Sequence, residues 1–323
     1  MTDGGAASSG LKRRTPSVGA AVVPDEVLSA RRRARTTLSA RLMVMPTSLF
    51  LLIFVYLPAI MALGVGFFHY RLRGYGTTFA GLENFRSAID YNVFWLAVRN
   101  TGFFALIMVP STIVLATAIA LLVDRQSRAF GFIRSIILLP YITPVVATAI
   151  GWIWIFNPQY GVANLVLRSL GLPGSQWLLS TRVALPSVAL YTLWHGLGFD
   201  VILLLSAFAS MPSDVIEAAG VDGASRWTTF WRVQLPLTSP TMFFVAFVST
   251  VGALQSFSQM YALSSGQGGP EYATTTLPLL IYQTAFVDFH FSYGAAMTLL
   301  LVVMILAVVG AQRWMARRWA FYR

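Results

Sequence analysis

Side chains capable of chemistry are scarce in this chain of 323 residues, and their positions exclude most kinds of enzyme. A P-loop needs a lysine after its glycines to reach the phosphates of a nucleotide, and the only lysine is Lys12, in a polar tail. The three histidines, His69, His195 and His290, are far apart, and the chain has no cysteine. Neither a metal site nor a disulfide is therefore expected. We predict no catalytic residue and no cofactor bound by this chain.

A few polar or small residues interrupt long apolar runs, and they are the candidates for contacting a solute. His195 and Phe199 share one helix face, and Ser249, Gly252 and Ser256 recur at intervals of three and four. Ionisable residues inside a membrane span are costly and indicate function, whereas Ser and Gly at this spacing also allow close helix packing. A substrate pathway and a packing stripe therefore stay open as alternatives. The full candidate set for a pathway is His195, Gly196, Phe199, Asp200, Ser249, Gly252 and Ser256.

The elements that must position these residues are membrane-spanning helices. The composition is 56% hydrophobic and 11% charged, with a mean hydropathy of +0.67, whereas a soluble domain has about 25% charged residues. Each of six apolar runs is about as long as the roughly 20 residues that a helix needs to cross the hydrocarbon. We predict an all-α polytopic membrane protein with six transmembrane helices within residues 42–323. The runs cover residues 42–68, 97–123, 132–156, 184–208, 240–262 and 294–312.

The basic residues predict the orientation of these helices. Most of the 23 Lys and Arg lie in residues 1–41, in the connections after the second and fourth runs, and at the C-terminus. Because positive residues accumulate on the cytoplasmic side, both termini are predicted to lie on the cytoplasmic side of the cell membrane. Residues 1–41 have no apolar segment and are interpreted as a flexible basic tail. The net charge of +11 is explained by orientation beside membrane lipid, so no nucleic-acid partner is expected.

The connection between the fourth and fifth runs, residues 211–240, has the pattern of a helical elbow. Asp222-Gly223 is a turn signal. It separates two short segments, 215–219 and 224–233, that can each form a helix. Pro236 is expected to end the second of these helices.

This stretch resembles the EAA loop of bacterial ABC import permeases, in the form typical of the maltose and glycerol-3-phosphate type. That pattern is Glu-Ala-Ala, three residues, Gly, nine residues, an aliphatic residue, one residue and Leu-Pro. The resemblance covers nearly all of residues 42–323, although Ser258 stands where the family often has an acidic residue and the turn SSGQGGP is slightly longer than usual. It implies the type I ABC importer permease fold with a cytoplasmic coupling elbow. The matching residues are Glu217, Ala218, Ala219, Asp222, Gly223, Val233, Leu235 and Pro236.

The resemblance also implies a division of labour among subunits. A second, homologous permease, expected to form a heterodimer with this chain, completes the pore. Two ATPase subunits bind ATP and Mg²⁺, and an external binding protein delivers the solute. In that family the elbow sits in a cleft of the ATPase, and the stretches that contain the pathway candidates line the translocation path. The implied solute is a carbohydrate or a glycerol-phosphate-type compound. One alternative is the same architecture importing another small polar solute, and the other is a membrane-embedded enzyme.

Overall fold

The computed structural model describes residues 41–70, 76–123 and 130–319. Their fold is mainly helical, with one short antiparallel ladder between β1 (Phe68–His69) and β2 (Thr78–Phe79). The predicted tail, residues 1–41, lies outside the described residues except for Arg41. The helices are α1 (Arg41–Phe67), α2 (Glu83–Asp90), α3 (Asn92–Leu122), α4 (Phe130–Ile142), α5 (Val145–Ile155), α6 (Val162–Ser169), α7 (Ala184–Ala209), α8 (Ser213–Val221), α9 (Arg226–Leu254), α10 (Ser258–Leu263), α11 (Leu277–Tyr282) and α12 (Phe291–Trp319).

Five of the described helices, α1, α3, α7, α9 and α12, are long and apolar enough to cross a membrane. Four of them, α1, α3, α7 and α12, match predicted spans closely. The pair α4 and α5 together makes a sixth candidate span. The prediction of an all-α polytopic membrane protein with six spans is therefore confirmed in number, and it needs correction at the third and fifth spans.

The third predicted span, residues 132–156, is not one straight helix. It consists of α4 and α5, which meet at an angle of 95°. The residue before a proline is disfavoured in the helical region, and Pro144 itself is extended, with φ −61° and ψ 126°. The Thr143 amide donates to the Pro140 carbonyl at 3.2 Å and ends α4. The two prolines thus break a segment whose hydropathy alone is continuous.

The fifth span lies earlier in the chain than the predicted 240–262, because α9 begins at Arg226 and ends at Leu254. The expectation that Pro236 ends a helix is wrong, since α9 runs through it. A π-helical turn over Phe230–Gln234 comes directly before this proline, and the Leu235 amide donates to the Phe230 carbonyl. This wider turn accommodates the proline ring, which clashes with the preceding turn of a regular α-helix.

Helix α7 is the central element of the compact unit formed by Met61–Arg323. Half of its most apolar stretch is buried, more than in any other described span. It packs against α3 through two apolar clusters, one containing Phe104 and Tyr191 and the other Ala120 and Leu204. Apolar burial alone does not drive helix association within lipid, so close packing matters more.

Candidate functional site

The elbow begins with α8, which ends on a tight glycine turn. The Ala224 amide donates to the Ala219 carbonyl at 2.9 Å, and the Gly223 amide donates to the Gly220 carbonyl at 3.0 Å. These two hydrogen bonds form a Schellman motif, in which the residue at the reversal is left-handed. Gly223 has this conformation, with φ +79°. The predicted turn at Asp222-Gly223 is therefore confirmed, and its geometry favours a residue without a Cβ.

Both ends of the elbow are anchored to the spans. The Ser225 hydroxyl accepts a hydrogen bond from the Thr228 amide at 3.2 Å and caps the start of α9. Phe230 and Met211 pack against a buried cluster that includes Phe208 of α7 and residues of α3 and α9. These contacts connect both ends of the elbow to three spans through packed side chains.

Between these anchors, α8 itself is unpacked. None of its nine residues is buried. Glu217 and Ala218 are exposed, and Val221 has 88% of its surface exposed. Within the described residues Glu217 has no ion pair. Isolated helices shorter than about 12–15 residues are marginal in water, so this helix presents a surface that a docking partner would stabilise.

A cavity of about 140 Å³ with a mixed polar and apolar lining lies between α3, α7 and α9. Four of the seven candidate pathway residues line it, namely Gly196 and Asp200 from α7 with Ser249 and Gly252 from α9. The fold thus brings together candidates from two helices that are distant in sequence. The other lining residues are Phe104, Met108, Thr112, Thr192, Leu193, Leu197, Ala253 and Gln259.

The two glycines of this cavity leave space and are not points of helix contact within the chain. A Cβ added to Gly196 or Gly252 would meet no heavy atom within 4 Å. A Cβ added to Gly198 would instead clash with the Ile137 carbonyl oxygen, where α4 approaches α7. Close helix packing therefore accounts for a glycine at position 198. At Gly196 and Gly252 the missing side chain instead leaves open space.

Asp200 is the ionisable residue of the cavity. It is 9% exposed, and it has no hydrogen bond or ion pair within the described part of the chain. Burial of a carboxylate without a partner is costly, and the lining residues include no cation. Asp200 is therefore available to accept hydrogen bonds from a polar molecule in the cavity. Across residues 41–70, 76–123 and 130–319, no group of three or more His, Cys, Asp or Glu could hold a metal ion.

His195 and Phe199 lie on a different face of α7, opposite the break between α4 and α5. His195 Nε2 donates to the Thr143 carbonyl at 3.1 Å. The Phe199 ring stacks on Tyr141, with 5.2 Å between the ring centroids. A helix broken within the membrane needs neighbours to satisfy its freed backbone groups. These two candidates therefore support the broken span, and they do not line the cavity.

Ser256 lies beyond the end of α9, so the expectation that it continues a helical stripe from Ser249 is wrong. It is buried, its hydroxyl donates to Gln259 Oε1 at 3.2 Å, and its carbonyl accepts from the Thr276 hydroxyl at 3.0 Å. Because Gln259 lines the cavity, Ser256 positions a lining residue from outside the cavity.

Three polar lining residues, Thr112, Thr192 and Gln259, were not predicted from the sequence. Thr192 precedes Gly196 by four residues, so the helical period contained a signal for it. Thr112 and Gln259 had no such signal, because their positions depend on where α3 crosses α7 and where α9 ends.

Comparison with known proteins agrees with this geometry. The sequence profile of the family described as binding-protein-dependent transport system inner membrane component matches residues 112–321. A probable ABC transporter permease protein of Pyrococcus horikoshii is 31% identical over 272 residues, which cover 83% of this chain and 92% of that protein. The sn-glycerol-3-phosphate transport system permease protein of Agrobacterium fabrum is 30% identical over 84% of this chain and 92% of its own length. The lactose transport system permease protein of Rhizobium radiobacter is 30% identical over 85% and 93%, respectively.

The fold is also similar to that of a solved bacterial alginate ABC transporter, determined in complex with its alginate pentasaccharide-bound periplasmic protein. The TM-score is 0.73 over 89% of this chain and 96% of that chain, at 24% identity. This likeness confirms the importer permease fold that the elbow motif implied. The profile match and the identities to curated permeases show that the chain belongs to the family of binding-protein-dependent transport system inner membrane components, as a multi-pass ABC transporter permease.

Proposed function

We propose that this permease forms, with a second homologous permease subunit, the pathway of an ATP-driven importer for a carbohydrate. An external binding protein delivers the solute, and two ATPase subunits supply the ATP and Mg²⁺ sites from the cytoplasm. The lining of the cavity between α3, α7 and α9 is the observation that supports this class of solute. At about 140 Å³ it is smaller than the roughly 300–1,000 Å³ of typical ligand sites, so the second permease supplies the rest of the binding surface.

The cavity chemistry fits a neutral molecule with many hydroxyl groups. Thr112, Thr192 and Ser249 offer hydroxyls that donate and accept, and Gln259 offers an amide. The carboxyl group of Asp200 accepts hydrogen bonds from sugar hydroxyls, and when ionised it repels a phosphate group. The relative named for lactose transport supports the same solute class.

Coupling to ATP hydrolysis is assigned to the elbow. Glu217, with Ala218 and Ala219, lies on the unpacked helix α8 and offers a directed polar contact to the ATPase. The Gly223 turn sets the angle at which this helix leaves α9. A short helix held between two spans converts a rigid-body displacement at its surface into a tilt within the membrane. Leu235 and Pro236 follow the π-helical turn, where α9 changes its geometry.

A second candidate is the same architecture carrying a glycerol-phosphate-type solute, and the relative named for sn-glycerol-3-phosphate favours it. Both candidates assign ATP binding and hydrolysis to the partner ATPase subunits. This assignment is supported by the only lysine, Lys12, which follows Leu11 and precedes Arg13 and so does not stand in the Gly-Lys-Ser/Thr order of a P-loop.

Asp200→Asn tests the solute class. Asparagine keeps the shape but removes the charge, and hydrogen bonds to charged groups contribute about 1.5–3 kcal/mol. We therefore expect sugar uptake to fall about tenfold or more, since 1.4 kcal/mol corresponds to a factor of ten. The measurement is uptake of a panel of radiolabelled sugars and glycerol phosphates by proteoliposomes that contain the complete importer. Ser206→Ala, on an exposed part of α7, is the control, and preferential uptake of a glycerol phosphate by the wild type would contradict the proposal.

The proposed orientation places both termini and the elbow in the cytoplasm. Because the chain has no cysteine, single cysteines can be introduced without background. In intact cells, an impermeant maleimide should label Leu82→Cys and Gln267→Cys, both at exposed positions. Val221→Cys should react only after permeabilisation. Reaction of Val221→Cys in intact cells would overturn the orientation.

A further inference from the structure

A groove of about 760 Å³ opens between α9 and the C-terminal half of α12, on a different part of the fold from the cavity between α3, α7 and α9. Phe243, Phe244 and Phe247 form its wall on α9, and Val309 contributes from α12. Phe244 and Phe247 are 51% and 42% exposed, so this aromatic wall is open along the side of two spans.

Two arginines lie at one end of this groove. Arg313 and Arg317 are one helical turn apart on α12, and both line it. Within the described residues neither has an ion pair or a hydrogen bond. The chain has no acidic residue after Asp288 and none between Asp222 and Glu271, so neither helix that forms the groove can neutralise these charges. The groove is therefore suited to a ligand that carries a negative charge.

We propose that this groove binds one anionic phospholipid, with its acyl chains along the phenylalanine wall and its phosphodiester at Arg313 and Arg317. A guanidinium group forms paired, charge-assisted hydrogen bonds with phosphate oxygens. The site goes beyond the proposed transport function, and it rests on the orientation proposed above, which places the end of α12 in the cytoplasmic leaflet. Basic pockets between membrane helices on that side bind anionic head groups.

The combination of wall and charge favours a lipid over other anions. A free phosphate would use the arginines but leave the aromatic wall without a contact. A zwitterionic lipid would fill the wall but would bring a positive group close to the two arginines. An anionic phospholipid satisfies both parts of the groove, because its charge and its apolar chains belong to one molecule.

Native mass spectrometry of the complete importer from nanodiscs of equal phosphatidylglycerol and phosphatidylcholine tests this site. We expect the wild type to retain one phosphatidylglycerol per chain, and Arg313→Gln/Arg317→Gln to retain about tenfold less, a loss that corresponds to 1.4 kcal/mol. Arg41→Gln/Arg134→Gln removes the same charge at exposed positions outside the groove and should retain the lipid. Ala246→Phe, which narrows the groove but keeps both arginines, should lose it.

Several outcomes would overturn the proposal. It would be contradicted if the wild type and the double variant retained equal amounts of phosphatidylglycerol. It would also be contradicted if the wild type retained as much phosphatidylcholine as phosphatidylglycerol. Displacement of the lipid by millimolar inorganic phosphate would identify a site for soluble anions. Loss of the second permease from the double variant would assign the groove to the interface between the permeases. Lipid retention is measured without transport, so a failure here is distinguishable from a failure of the proposed solute.

Discussion

Filling the cavity between α3, α7 and α9 with a bulky side chain is expected to abolish uptake while leaving the importer assembled. Ser249→Trp places an indole in a space of about 140 Å³. Gly252→Leu fills the same space from a position where an added Cβ would meet nothing within 4 Å. Because the change is accommodated by open space, we expect α9 to keep its packing. The measurement is radiolabelled uptake together with the amount of ATPase that copurifies with the permease.

Gly198→Ala is the matched control for a damaged fold. Its Cβ would clash with the Ile137 carbonyl oxygen, and overpacking costs about 1–3 kcal/mol. This variant should therefore lower the thermal stability of the permease, unlike the two variants that fill the cavity. If Gly252→Leu lost the ATPase as well, helix packing would explain that position better. Normal uptake by Gly252→Leu and Ser249→Trp would show that the cavity is not on the solute path.

Gly223→Val is expected to abolish both uptake and the stimulation of ATPase activity. The turn requires φ +79°, and a non-glycine residue held in the left-handed region costs about 1–3 kcal/mol. Valine is β-branched and fits this region poorly. An added Cβ would meet nothing within 4 Å, so the spans keep their packing. The substitution therefore changes the conformation of the turn and the surface that a partner would contact there. Uptake and the stimulation of ATPase activity by the loaded binding protein, both measured in proteoliposomes, should fall to background.

Gly223→Asn separates the conformation of the turn from the bulk of the side chain. Asparagine is tolerated at the left-handed position that ends a helix, so this variant should keep most of the uptake. Both variants should insert into the membrane to the wild-type level. If the valine and asparagine variants transported at the same rate, the left-handed turn would not be what couples the two activities.

The elbow shows how much of the candidate site could be predicted from residues close together in the chain. Helix α8, the reversal at Gly223 and the cap at Ser225 all form through hydrogen bonds between near neighbours. Their geometry therefore follows from local residue types. The membrane class and the number of spans were predictable for a similar reason, because the hydropathy of a segment is a property of its composition.

The lining of the cavity could not be predicted in this way. His195 and Asp200 are close in sequence, but His195 Nε2 bonds the broken span and Asp200 lines the cavity. Hydropathy did not reveal the break in the third span, and the helix through Pro236 depends on a π-helical turn.

By itself, the sequence determined that this chain is a six-span permease with a helical elbow that turns at Gly223, the element for which coupling is proposed. Only the tertiary structure decided that Gly196, Asp200, Ser249 and Gly252 share one cavity, that Ser256 supports it through Gln259, and that His195 and Phe199 do not line it. The physical reason is the range of the interactions. Caps, turns and hydropathy depend on residues within one or two helical turns, whereas a cavity depends on where separate helices cross and where each one ends.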